Sequence, residues 1–307
     1  MKRLLGLWLL SACAAFAVLT GCAGKQPPTA PEPPPPVRTE IPELPETLPD
    51  VLLHVPQRVE QAVPLSDSPL LGLAEQVILH ERALERFFAP WDLARTSIPA
   101  KEAFWGTAAY GTKQGYAENL QPYPRERWDK TVALQDMAFY PSMALPAIAT
   151  RNTALRVLPS LRPFFLNPDL PGEGFPFDYF QNSALWLGTP VFISHVSRDR
   201  AWVYVETAFT SGWVRQEDVA LADEPFRKEY RTRVMAAVRE DETPLVGAGK
   251  YLGQAHIGAI FPLHSHMGQD LVVRVPLRDA DGRARTGLAQ LGPQQAAPMP
   301  LPLTSRT

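Results

Sequence analysis

Apolar residues recur at three- and four-residue steps over residues 70–88, and this period predicts an amphipathic helix. We expect the helix to begin at Ser68-Pro69, because serine caps helices and proline suits the first helical position. We expect it to end before Pro90. The apolar positions that share its buried face are Leu70, Leu73, Val77, Leu84 and Phe88.

Two further short helices are predicted at residues 99–106 and 124–136. Near residue 147 the period changes to that of short strands, separated by turns at residues 197–200 and 211–212. Short strands joined by tight turns predict a small β-barrel. The strand-like runs are residues 147–149, 155–158, 191–193, 201–206 and 213–214.

The N-terminus has two basic residues followed by an apolar run over residues 4–19. That run is shorter than the roughly 20 residues of a membrane-spanning helix, and it is typical of a cleavable signal peptide. It ends in LTGC, residues 19–22, which resembles the lipobox of bacterial lipoproteins. The resemblance implies that the signal peptide is 1–22 and that Cys22 carries the lipid. Ala23 then implies the outer membrane, facing the periplasm.

An ordinary secretory signal with an incidental cysteine is the alternative. The only other cysteine of the chain is Cys13, which lies inside the segment that is removed. The mature chain would therefore carry one cysteine, at its first position, and no disulfide within the chain is possible. This composition favours lipidation of Cys22 and a membrane partner.

Prolines occur every few residues in the segment 23–64, with PEPPPP at residues 31–36. Such segments favour an extended polyproline II conformation of about 3.1 Å per residue. We interpret 23–64 as a tether that spaces the folded part from the membrane. A ligand for a proline-binding domain is the less favoured alternative.

Net charge is −2 and charged residues make up 20% of the chain, without a basic cluster. A nucleic-acid partner is therefore not expected.

We expect no metal and no cofactor, because the candidate motifs are incomplete. His264-Ser265-His266 has no third ligand nearby, and GAGK at residues 247–250 has Pro244 and Tyr251 where a phosphate loop needs Gly and Ser or Thr. His195 and Ser194 are strand neighbours that point to opposite faces.

Long strings between residues 75 and 304 resemble the bacterial SH3 domains of the NlpC/p60 cysteine peptidases, which cut peptidoglycan stem peptides. The resemblance implies an α+β fold that is mostly β, with a helical stabilising segment at 65–145, a first SH3 domain at 146–225, a second at 226–292 and a Pro-rich stub at 293–307. The strings that carry it are RFFAPWDL (86–93), TRNTALRVLPS (150–160), PGEGFPFDYFQNSALWLGTPVFISH (171–195), AWVYVETAFTSGWV (201–214), EDVAL (217–221), VREDETPLVGAGKYLGQAHIGAIFPL (238–263) and DLVVRVPLRDADGRA (270–284).

In that family a papain-like domain with a Cys nucleophile and a His base follows the second SH3 domain. Here the sequence given reaches Thr307 after APMPLPLTSRT, which is similar to the joint before that domain. The only mature cysteine is Cys22, whose sulfur would carry lipid. We therefore expect no catalytic residues in this chain and no enzymatic activity.

The stretch 172–181 is the candidate binding loop, because it mixes aromatic rings with hydrogen-bonding groups. A ligand of sugar rings and short peptides suits such a surface. In the family the loop closes the groove around the stem peptide. The alternative is that the phenylalanines fill the barrel and its seam with the helical segment. We expect Trp202 and Trp213 to be core residues, because each falls in an alternating strand pattern. The predicted ligand-binding residues are Glu173, Phe175, Asp178, Tyr179 and Gln181.

Three functions follow. The first is an envelope lipoprotein that binds or positions peptidoglycan and is not itself catalytic. The second is the non-catalytic portion of a truncated or split peptidase. The third is a scaffold that binds a protein partner, such as a catalytic domain in trans. We favour the first.

Overall fold

The computed structural model describes residues 68–301. The signal peptide, Cys22, the Pro-rich tether and residues 302–307 lie outside the described residues. The described part begins with a helical segment and continues into two antiparallel sheets. The helices are α1 (Leu73–Phe88), α2 (Ala100–Ala103), α3 (Trp105–Tyr110) and α4 (Arg125–Leu134), with 3-10 turns at Ala89–Asp92 and Met137–Phe139.

Helix α1 begins at Leu73, so the predicted start at Ser68-Pro69 is wrong. Gly72 precedes the helix, and its N–H donates to Glu75 Oε2 at 3.0 Å. This carboxylate closes the first turn and interacts favourably with the positive end of the helix.

The prediction of the buried face of α1 is only partly confirmed. Leu84 and Phe88 are buried, whereas Leu70, Leu73 and Val77 are 65%, 75% and 42% exposed. The sheets cover only the C-terminal half of the helix, where Phe88 packs in one core with residues of both barrels.

The first sheet has the strand order β3-β2-β6-β5-β4-β1-β7 and closes around an apolar core. Trp202 and Trp213 are 7% and 0% exposed, which confirms that they are core residues, and they pack in a separate cluster with Phe104 of the helical segment. The strands are β1 (Leu145–Ala149), β2 (Thr153–Arg156), β3 (Gln181–Leu185), β4 (Pro190–Val196), β5 (Trp202–Glu206), β6 (Ser211–Arg215) and β7 (Val219–Leu221).

The second sheet has the strand order β10-β9-β13-β12-β11-β8-β14 and follows helix α5 (Glu224–Tyr230). It includes part of the predicted Pro-rich stub, because Ala296–Pro298 pairs with β8 and Met299 N–H donates to the Met235 carbonyl at 2.8 Å. The strands are β8 (Met235–Val238), β9 (Thr243–Gly247), β10 (Lys250–Ala255), β11 (Ile260–Met267), β12 (Asp270–Arg278), β13 (Ala284–Leu291) and β14 (Ala296–Pro298).

The two barrels share side chains at their junction. Leu187, which follows β3 of the first barrel, is 2% exposed within the core of the second barrel. Asn152 of the first barrel donates from Nδ2 to the Gln254 carbonyl at 2.8 Å and accepts from Leu187 N–H at 2.9 Å. The junction is therefore packed and hydrogen-bonded.

Candidate functional site

A long connection between β2 and β3, residues 157–180, contains most of the predicted binding residues; we call it the aromatic loop. It lies against the helical segment, where Tyr116 and Phe165 exchange backbone hydrogen bonds of 2.8 and 2.9 Å. Phe164 and Phe180 stack with ring centroids 4.9 Å apart and an interplanar angle of 13°. The rest of this buried cluster is Tyr110, Ala117, Tyr123, Trp128, Val157 and Leu158.

Arg156, the last residue of β2, holds both ends of the aromatic loop. Its side chain is only 4% exposed, and Nη1 lies 2.7 Å from Asp178 Oδ2 and 2.8 Å from Gln181 Oε1. Nε donates to the Ser160 carbonyl at 2.8 Å and Nη2 to the Arg162 carbonyl at 3.2 Å. We call these contacts the Arg156 network. Every nitrogen of this buried guanidinium donates to a partner, so removal of a partner would leave an uncompensated buried charge.

Asp178, predicted as a ligand-binding residue, has both carboxylate oxygens engaged inside the protein. Oδ2 accepts from Arg156, and Oδ1 accepts from the N–H groups of Phe164 and Phe180 at 3.0 and 2.9 Å. The carboxylate therefore fixes the base of the aromatic loop. Gln181 shares the Arg156 contact through Oε1 but is exposed as a residue.

The tip of the aromatic loop presents two phenylalanines to solvent. Phe175 is 80% exposed and Phe177 is 54% exposed, while Phe180 is fully buried. The interpretation that the phenylalanines fill the barrel and its seam with the helical segment thus holds for Phe180, which lies in that seam, but not for Phe175 and Phe177. Contiguous exposed apolar side chains mark contact surfaces, and these two lie two residues apart on one loop.

Glu173 and Tyr179 lie between the buried base and the exposed tip. Partial burial, and then the neighbouring Glu173 carboxylate, raise the pKa of the Tyr179 hydroxyl above its usual range. The Tyr179 ring meets Tyr110 edge-on with centroids 5.8 Å apart. Tyr179 therefore remains a neutral hydrogen-bonding phenol at neutral pH, next to an acceptor carboxylate.

The helical segment adds residues that the sequence did not predict for the site. A cavity of about 510 Å³ opens beside the aromatic cluster, between α3 and α4. Polar and charged side chains of the helical segment surround its aromatic wall of Tyr110, Tyr123, Trp128 and Phe164. Those polar residues are Thr112, Lys113, Gln114 and Arg125.

His195 is held as a buried neutral imidazole. Its Nε2 lies 2.8 Å from the Gln135 carbonyl, which can only accept, so Nε2 carries the proton and Nδ1 accepts from the Ser142 hydroxyl at 2.7 Å. Burial lowers the pKa of His195. Both ring nitrogens are thus used to join the first barrel to the residues after α4.

His264 and His266 are exposed on β11, and no group of three or more potential metal ligands lies within residues 68–301. GAGK forms the β9–β10 hairpin turn, in which Ala248 and Gly249 have φ of 47° and 73°. In the same described range, no helix has the length and apolar character to cross a membrane.

The helical segment is followed by two SH3-like barrels in tandem. The chain is therefore a protein with tandem SH3-like domains. Family models agree with this description: SH3 domain (SH3b1 type) matches residues 163–215, SH3 domain of SH3b2 type matches residues 223–266, and the NLPC_P60 stabilising domain, N term, matches residues 8–140. The chain therefore carries the N-terminal stabilising domain of NlpC/P60 proteins and two SH3 domains, which confirms the resemblance.

Among solved structures, an NlpC/P60 endopeptidase from Photobacterium damselae subsp. piscicida is similar, with a TM-score of 0.68 and 22% sequence identity. The match covers 78% of this chain and 56% of that chain, so this chain spans about half of that protein. At this identity the likeness shows the fold. No curated protein matches the sequence.

Proposed function

We propose that this chain is a non-catalytic, membrane-anchored envelope protein that binds or positions peptidoglycan through the aromatic loop. The observation that carries the proposal is the exposure of Phe175 and Phe177 on a loop whose base is fixed by the Arg156 network. Aromatic faces stack on sugar rings, and a pre-ordered loop loses little entropy on binding.

Polar groups beside the two rings suit the peptide part of the wall. The Glu173 carboxylate attracts a peptide ammonium group, and the Tyr179 hydroxyl stays protonated because its pKa is raised by partial burial and by Glu173. Gln181 is exposed two residues after Tyr179, with Oε1 accepting from Arg156 and Nε2 donating to the Ser183 carbonyl. Together these groups offer one charge and several hydrogen bonds to a short peptide.

Co-sedimentation with purified sacculi tests the proposal. The full chain in mild detergent is expected to pellet with sacculi, and the double variant Phe175→Ser/Phe177→Ser is expected to stay in the supernatant. Tyr251→Ser is the matched control, because Tyr251 is 67% exposed on the second barrel. Equal pelleting of the wild type and the double variant would show that the aromatic loop is not the wall-binding surface.

The lipid anchor is part of the same proposal. Cys22 supplies the thiol, and several acyl chains on one residue give stable membrane attachment. Labelled palmitate is expected to enter the chain and to be lost in Cys22→Ala, with the wild type in the outer-membrane fraction. Labelling that persists in Cys22→Ala would contradict lipidation at this residue.

A second candidate function is that of the positioning part of a peptidase. The specific observation is that the similar endopeptidase extends well beyond the matched region, which covers 56% of it. The DNA after the last codon decides between the two functions. A Cys- and His-bearing domain in an adjoining frame supports a split peptidase, and unrelated sequence contradicts it.

A further inference from the structure

A cavity of about 340 Å³ lies between the open end of the first barrel and the β12–β13 hairpin of the second. Its floor continues the core of the first barrel, since Ile193, Val203 and Val219 are 3%, 2% and 3% exposed. We call it the interbarrel cavity. Met143, Val196 and Leu221 complete its apolar lining, and the polar lining is Arg200, Gln216, Arg278 and Asp281.

Hydrogen bonds between the barrels fix the shape of the interbarrel cavity. Leu221 N–H donates to the Gly282 carbonyl at 2.9 Å, and Arg278 Nε donates to the Val219 carbonyl at 3.0 Å. Gly282 has φ +78°, and a Cβ there would lie 2.9 Å from Arg278 Nη2. Glycine therefore gives the hairpin its turn and leaves room for the guanidinium. The cavity exists only where the two barrels meet.

The polar side of the interbarrel cavity carries a net positive charge, with Arg200 and Arg278 against Asp281. Among residues 68–301, no carboxylate forms an ion pair with either arginine. The neighbouring acid Asp279 is already engaged, because its Oδ2 lies 3.0 Å from Arg285 Nε. Two guanidiniums beside an apolar floor suit a ligand with an anionic end and a short apolar end.

We propose that the interbarrel cavity binds the free carboxyl terminus of a short peptide whose last residue has a small aliphatic side chain. The carboxylate lies with Arg200 and Arg278, the aliphatic side chain lies on the valine and isoleucine floor, and Asp281 accepts from a peptide N–H. The volume is at the lower end of ligand sites, which run from about 300 to 1,000 Å³, and so limits the ligand to one or two residues. This site is separate from the aromatic loop, and its occupancy does not depend on wall binding by that loop.

The probe is N-acetyl-alanyl-alanine, titrated into the full chain in detergent and followed by methyl NMR of Ile193 and Val203 and by calorimetry. We expect the free acid to bind and its C-terminal amide to bind at least about tenfold more weakly, because a charged hydrogen bond is lost. Propionate tests whether a bare carboxylic acid suffices. Amide binding equal to acid binding, or propionate binding as tightly as the peptide, would overturn the proposal.

Two variants locate the binding. Arg200→Gln is expected to lower the affinity for the free acid by at least about tenfold. Val196→Trp is expected to abolish binding by filling the cavity. Arg283→Gln is the control, since Arg283 is an exposed hairpin residue outside the lining. Arg200 is exposed on the β4–β5 turn, so its substitution leaves the fold intact. Unchanged affinity in Arg200→Gln, or no binding of the acid at millimolar concentration, contradicts the site.

Discussion

The two barrels share one strand order and differ most in one connection. In the first barrel, β2 and β3 are joined by residues 157–180, whereas the equivalent β9 and β10 of the second barrel are joined by residues 248–249. The long connection is held by side chains, through the Arg156 network and the aromatic cluster. The short one is held by two positive-φ residues. The same scaffold therefore carries a long loop held by side chains in one copy and only a turn in the other.

The largest expected effect is on the Arg156 network. Arg156→Met should lower the free energy of unfolding by about 3 kcal/mol, because it leaves the mostly buried Asp178 carboxylate without its cation. Val246→Met is the matched control, since Val246 lies at the equivalent place on β9 and is 41% exposed. Urea denaturation measures both. Equal losses in the two variants would contradict a special role for the network.

Acidification should destabilise the contact between the first barrel and the helical segment. Burial lowers the pKa of His195, so its contribution to stability is present above the unfolded pKa of about 6.5 and is lost as the pH falls through the folded value. One proton limits the loss to about 1.4 kcal/mol per pH unit. His195→Gln should flatten the pH dependence of the free energy of unfolding between pH 7 and 5. His266→Gln, at an exposed position, should leave that dependence as it is in the wild type. If the free energy of unfolding varied with pH in the same way in the wild type and in His195→Gln, His195 would not be the cause of the loss.

The second barrel should depend instead on backbone conformation at its turn. Gly249 has φ +73° with no atom within 4 Å of an added Cβ, so Gly249→Ala meets only backbone strain and should cost about 1 kcal/mol. Gly292→Ala is the control, because a Cβ there would have ordinary contacts from 3.7 Å. Thermal unfolding compares them. A Gly249→Ala variant as stable as Gly292→Ala would mean that the turn tolerates the side chain.

The smallest expected effect on stability is at the loop tip. Phe175→Ser and Phe177→Ser should each change the free energy of unfolding by no more than about 0.5 kcal/mol, since both rings are exposed. Their effect should appear in wall binding alone. A large loss of stability in either variant would mean that the rings support the fold.

The period of apolar residues and the turn residues predicted the helical segment and one small barrel, because both reflect local physics. The second barrel was implied by the family resemblance, and the structure confirms this class of fold. The sequence pattern misplaced the start of α1, where Glu75 closes the first turn in place of a serine cap. It also did not predict β14, because the prolines at residues 298 and 300 indicate an extended tail while edge strands tolerate proline.

The candidate site was harder to predict, since its contacts join residues far apart in the chain. The spacing of apolar residues along the chain could not distinguish the exposed Phe175 and Phe177 from the buried Phe180. Arg156 was missed as a site residue, although a charged residue inside the apolar run Leu155-Arg156-Val157-Leu158 was a usable signal. A charge at such a position needs a partner, and the structure supplies Asp178.

We propose that the aromatic loop, and not the second barrel, binds the wall. The test is NMR of the full chain in detergent, with labelled phenylalanine and tyrosine, titrated with soluble peptidoglycan fragments. We expect the signals of Phe175, Phe177 and Tyr179 to shift and to saturate with fragment concentration, while that of Tyr251 stays unchanged. Shifts confined to Tyr251, or none at the loop with fragments in excess, would contradict it.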